Sequence, residues 1–123
     1  MNPVTGLALG RIAIGLLSFL CPALAAKLFR LDAEANPQSP YLSRMFGSRE
    51  IALGAAALTA RGTTWRNVAI AGIAVDAADA ASGYLAGRDG YVSKPTSAFL
   101  TAPALGAVAA GLAGLWISRR GLS

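Results

Sequence analysis

Asp76 and Asp79 lie three residues apart in the run Ala74-Val75-Asp76-Ala77-Ala78-Asp79-Ala80-Ala81, which otherwise holds only Ala and Val. Carboxylates at i and i+3 share one helical face. Placed side by side they can carry a proton, work as general acid and base, or anchor the polar end of a ligand. Glu50 adds a third acid, and Arg11 and Arg49, with Arg44 as a further candidate, supply the opposite charge. The chain has no His and a single Cys. That removes His-ligated haem, zinc sites, Ser-His-Asp and Cys-His nucleophiles and any intrachain disulfide. No metal and no cofactor is expected, and proton chemistry falls to carboxylates, Tyr or water. Cys21, beside Pro22, reads as a small buried apolar residue.

The elements that must position these charges follow from the composition. Over 123 residues, 54% are hydrophobic and 14% charged, against roughly 25% charged in an average globular chain. Too few charges remain to solvate a surface, so we read one integral membrane domain over residues 1–123. The net charge of +5 would suggest nucleic acid in a soluble protein. Here the basic residues are dispersed at the ends of apolar runs, as at membrane edges, and no nucleic-acid partner is expected. The N-terminus lacks a basic region before its apolar run, so the first segment reads as a retained helix rather than a cleaved signal.

Four spans are expected, over about 4–22, 40–60, 64–86 and 95–117. Asn2-Pro3 starts the first, with proline where its missing N–H costs nothing, and the helix is expected to continue a little past Pro22. Gly6 and Gly10 form a small-xxx-small patch in it, and Gly106, Ala110 and Gly114 another in the fourth span. Residues 23–31 place Leu24, Leu28 and Leu31 on one face with Lys27 and Arg30 off it, as in a short interfacial helix. A polar loop with Pro37 and Pro40 follows. The second span is tolerable in a membrane only if Arg44, Arg49 and Glu50 point into protein. Gly87-Arg88-Asp89-Gly90 closes the third span, and Pro103 should kink the fourth.

Short connections then give an all-α, four-helix up-and-down transmembrane bundle. One face gathers the N-terminus, Arg61, Trp65, Arg66, Trp116, Arg119 and Arg120. The opposite face carries the acidic loop and Arg88 to Lys94. We expect a multi-pass plasma-membrane protein with both termini cytoplasmic. At about 1.5 Å rise per residue, Asp76 lies roughly 15 to 18 Å deep, Arg49 and Glu50 roughly 13 to 15 Å from the other face, and Arg11 about 10 Å from the first. These positions can meet near the midplane of a core about 30 Å thick. With Arg44 included, three arginines offset three acids.

At Phe46-Gly47-Ser48-Arg49-Glu50-Ile51-Ala52-Leu53-Gly54, then at Asp76-Ala77-Ala78-Asp79-Ala80 and Arg11, the sequence resembles a group of small actinobacterial four-helix membrane proteins of unknown function. That group is broadly similar to the DoxX-like membrane proteins. The resemblance implies the four-helix membrane fold and transfers no reaction or catalytic residue. DoxX-like proteins are associated in places with redox or quinone-linked systems.

Two readings of the charge cluster stand side by side: a device that fixes helix register, or a working site with Asp76, the deepest acid, as its first candidate. The expected function is that of an accessory or small amphipathic-ligand-binding membrane protein, rather than an enzyme. Expected partners are membrane lipid, a small amphipathic ligand, and a second copy or another membrane protein. The alternatives are a small proton-coupled transporter and a membrane-embedded acid/base enzyme such as a lipid or isoprenoid isomerase. In either case Asp76, Asp79, Glu50, Arg49 and Arg11 would carry the site.

Overall fold

The computed structural model describes residues 1–120, and these form helices joined by turns and loops, with no strand among the described residues. The helices are α1 (Pro3–Leu20), α2 (Pro22–Leu28), α3 (Ser39–Thr59), α4 (Gly62–Arg88) and α5 (Lys94–Arg119).

Helix α1 starts as its sequence dictates. The Asn2 side-chain oxygen accepts from the Val4 N–H at 2.8 Å, with Pro3 in the first turn. Its end differs from expectation. The helix stops at Cys21, whose backbone sits at φ −130 and ψ 64, because the ring of Pro22 excludes helical geometry from the residue before it. A separate helix, α2, begins at Pro22 instead of α1 continuing through. Cys21 is consequently exposed on the outside of the break and not buried.

Helix α2 is shorter than the run 23–31. It buries Ala25, leaves Leu24 and Leu28 exposed, and ends at Phe29, which meets the ring of Phe46 edge-on at 5.9 Å between centroids. The chain then turns at Arg30 with φ 61, while the Leu31 N–H donates to the Ala26 carbonyl at 2.8 Å. A side chain in this left-handed conformation costs roughly 1 kcal/mol that glycine avoids. Arg30→Gly is therefore expected to stabilise the protein by about 1 kcal/mol. Reversible unfolding in mixed micelles measures this, and an unchanged midpoint would contradict it.

Helix α3 runs antiparallel along α1. Ser43 Oγ donates to the Ser18 carbonyl at 2.8 Å, Gly47 faces Gly15, and Gly54 faces Ala8. The contact is backbone on backbone: a Cβ built on Gly47 would lie 2.5 Å from the Gly15 carbonyl oxygen and 2.9 Å from the Phe19 nitrogen. Of the glycines that the spacing rule selects, Gly114 packs closely against Asn2 and Val4 at the start of α1, whereas Gly6, Gly10 and Gly106 have nothing within 4 Å of such a Cβ. The buried face of α1 is instead Val4, Ala8, Arg11, Gly15 and Ser18, which follow one another at three- and four-residue steps. Gly6 and Gly10 fall on its far side.

Helices α4 and α5 form a second antiparallel pair. Ser97 Oγ donates to the Gly83 carbonyl at 2.7 Å, and Ile73 packs on Gly111. Helix α4 closes on Asp89 and Gly90, the latter at φ 80, and the Tyr91 N–H returns to the Ala86 carbonyl at 2.9 Å. Ser93 caps α5 through the Thr96 N–H at 3.3 Å, and the helix passes through Pro103 as one element. The two pairs join where Asn2 Nδ2 donates to the Gly114 carbonyl at 3.1 Å, where α3 meets α4, and through the charged residues described below.

The distribution of side chains is the reverse of a water-soluble domain. The buried apolar residues are Val4, Ala8, Ala25, Ala69 and Ala80, whereas Leu9, Leu16, Phe19, Leu20, Leu58, Ile70, Leu105 and Leu112 are exposed. Small residues inside let helices approach, and bulky apolar residues outside match the pattern of helices packed in a membrane. Helices α1, α4 and α5 are each long and apolar enough to cross a membrane. Helix α3, which carries Arg44, Arg49 and Glu50, is not among them.

Candidate functional site

The five residues singled out by their charge come together as one alternating chain. Asp76 is held by Arg11, Arg11 by Glu50, Glu50 by Arg49, and Arg49 by Asp79. The chain leaves α4 at Asp76, crosses α1 and α3, and returns to α4 at Asp79. It therefore closes a ring through three helices that are far apart in sequence.

Arg11 is the hub of the inner half. Its Nη1 donates to Glu50 Oε2 at 2.9 Å and to Asp76 Oδ1 at 3.0 Å, and its Nη2 donates to Asp76 Oδ2 at 2.5 Å. A fork-to-fork pair of this kind fixes both the distance and the plane of the two groups. Nη2 also reaches the Gly72 carbonyl at 3.5 Å, the long limit of a hydrogen bond. Gly72 has no side chain to block that approach, for a Cβ there would lie 3.0 Å from Nη2. Beside Arg11 is a cavity of about 20 Å³, lined by Leu53, Gly72, Ile73 and Gly111 among others. It has room for about one water molecule.

The outer half is looser. Arg49 donates to Glu50 Oε1 from Nε at 3.2 Å and from Nη2 at 3.0 Å, and Nη2 donates to Asp79 Oδ2 at 2.7 Å. Its guanidinium also lies over the Phe46 ring, 5.1 Å from the centroid, a cation–π contact. The side chains of Arg11, Glu50 and Asp76 are 5 to 7% exposed, those of Arg49 and Asp79 37% and 33%. The ring is thus sealed at one end and open at the other.

Arg44 is not part of it. Its side chain is exposed and its Nε donates to the Phe19 carbonyl at 3.2 Å, satisfying a carbonyl left free where α1 ends. The expected balance of three arginines against three acids does not hold: two guanidiniums face three carboxylates. Sequence reasoning also missed Phe46. Its signal was the three-residue step to Arg49, which puts ring and guanidinium on one face of α3.

The fold and site define a class: an all-helical protein with three membrane-length apolar helices and a buried Arg-Glu-Asp ion-pair network. Compared with known protein families, curated proteins and solved structures, the chain matches none.

Proposed function

We propose that the protein spans the membrane four times, with α3 as the charged span, and binds the polar head of a small amphipathic molecule at the Arg49–Asp79 edge of the ring. An unpaired charge near the midplane costs at least about 2.5 kcal/mol, and α3 avoids that cost because Glu50 and Arg49 are paired with residues of α1 and α4. In this arrangement α2 lies at the membrane surface with Leu24 and Leu28 towards the acyl chains. The arginines at the start of α4 and the end of α5 face the cytoplasm.

The observation that carries the binding reading is the excess carboxylate together with where the ring opens. Two arginines leave one negative charge unmatched, and Asp79 is the acid that remains reachable. A cationic or hydrogen-bond-donating head completes the charge there, with its apolar tail along the exposed apolar flanks of the bundle. Asp76, clamped by both nitrogens of Arg11, serves the architecture rather than the ligand. An accessory, ligand-holding role follows, rather than catalysis.

Mass spectrometry of what copurifies under gentle extraction tests this. The wild type is expected to retain a stoichiometric amphiphile, and Asp79→Asn to retain about tenfold less, the equivalent of about 1.4 kcal/mol. A folded wild type that retains nothing, or an Asp79→Asn variant that retains as much, removes the proposal.

The same unmatched carboxylate favours one second reading, a small proton-coupled transporter in which a proton and a cationic substrate compete for Asp79. Substrate-driven proton release from reconstituted protein would show it, and no release across a range of cationic substrates would end it.

A further inference from the structure

The end of the molecule where α4 begins and α5 finishes carries a second feature, distant from the charged ring. An open groove of about 590 Å³ lies between the two helices, lined by Trp65, Arg66 and Ile70 from α4 and by Leu112, Trp116 and Arg119 from α5. Both tryptophans of the chain are in it. Arg120 stacks its guanidinium 5.1 Å from the Trp116 ring centroid, and Arg61 immediately precedes α4.

The electrostatics of this end are one-sided. All six Asp and Glu residues lie elsewhere: Glu50, Asp76 and Asp79 in the ring, and Asp32, Glu34 and Asp89 at the opposite ends of the helices. Among the described residues, Arg61, Arg66, Arg119 and Arg120 have no carboxylate partner. The floor of the groove is different in character, with Ile70 and Leu112 set deeper along their helices than the arginines. Basic residues at the rim, tryptophans beside them and aliphatic residues one to two turns further in repeat the layering of a phospholipid: phosphate, glycerol and acyl chain.

We infer that this groove is a binding site for one anionic phospholipid, its phosphate held by Arg66 and Arg119 and the upper part of an acyl chain laid along Ile70 and Leu112. Guanidinium forks match phosphate oxygens in geometry as well as charge. Four cations with no carboxylate partner among the described residues favour an anionic headgroup over a zwitterionic one, because the ammonium of the latter would meet like charge. The tryptophans shape the site and also report on it, since no other tryptophan contributes to the protein's fluorescence.

The inference shares with the proposed function only its membrane setting. The full chain is reconstituted in vesicles of phosphatidylglycerol and phosphatidylcholine at one fixed mole ratio, with bromine on the acyl chains of one lipid or of the other. Quenching of tryptophan by brominated phosphatidylcholine reports membrane insertion. Stronger quenching when bromine is on phosphatidylglycerol reports the groove. We expect a preference of at least threefold for the anionic lipid, lost in the Arg66→Gln, Arg119→Gln double variant and kept in Arg88→Gln at the opposite end.

Equal quenching by the two lipids in the wild type would overturn the site while leaving the membrane reading intact. So would a preference that survives the double variant. A preference abolished by millimolar inorganic phosphate would overturn the lipid in favour of a free anion.

Discussion

Arg11→Ala is expected to cost the protein about 3 to 5 kcal/mol, the loss that follows when one partner of a buried ion pair is removed and the others stay. Asp76 depends on this one guanidinium, Glu50 shares it with Arg49, and both carboxylates are nearly sealed from solvent. Asp76 would then be a buried charge without its guanidinium, and Glu50 would keep only the bonds from Arg49. Arg11→Lys should recover only part of the loss, because a single ammonium cannot reproduce the fork to Asp76 and the bond to Glu50 together.

A triple variant separates charge from shape. With Arg11→Met, Glu50→Gln and Asp76→Asn, no charge is left in the sealed half, and Arg49 and Asp79 remain as a balanced pair. This variant is expected to regain part of the stability lost by Arg11→Ala, since it leaves no lone buried charge, and a buried amide without a partner costs less than a buried carboxylate without one. Unfolding by denaturing detergent in mixed micelles gives both numbers. If the triple variant is as unstable as Arg11→Ala, packing of the arginine stem, and not its charge, holds the helices.

Gly47→Ala is the second large effect, expected to cost about 1 to 3 kcal/mol by overpacking. The added methyl would lie against the Gly15 carbonyl and the Phe19 nitrogen, which are backbone atoms of α1 with no side chain to rotate away. Helix α1 would have to move from α3, and with it Arg11 from Glu50. Gly10→Ala provides the control on the same helix pair, because nothing lies within 4 Å of its new methyl. No loss is expected there. Equal behaviour of the two variants would mean that α1 and α3 do not approach this closely.

Much of the helical layout was legible in the chain because its signals are local. Asn2-Pro3 and Gly90 set helix ends through the chemistry of one turn, and each does so in the structure. Pro22 sent the same kind of signal, and its local restriction on Cys21 outweighed the apolar run that suggested a longer first helix. The meeting of Arg11, Arg49, Glu50, Asp76 and Asp79 was also legible. Charges at similar depth in apolar helices have no cheaper arrangement than one another.

What the tertiary structure alone decided concerns reach and rotation. Successive residues turn by about 100° around a helix, so packing decides which glycines touch and which point away. Gly15, Gly47 and Gly54 make the contact, and Gly6 and Gly10 do not. Arg44 lies within two turns of Glu50, yet the end of α1 draws it to the Phe19 carbonyl and leaves the ring with three acids and two arginines. The same packing seals Asp76 and opens Asp79, three residues on, because α1 covers the first while the second lies at the rim between α3 and α4. The sequence thus determined that these charges pair, through the cost of leaving them alone. The packing of α1, α3 and α4 decided how they pair and which one stays within reach.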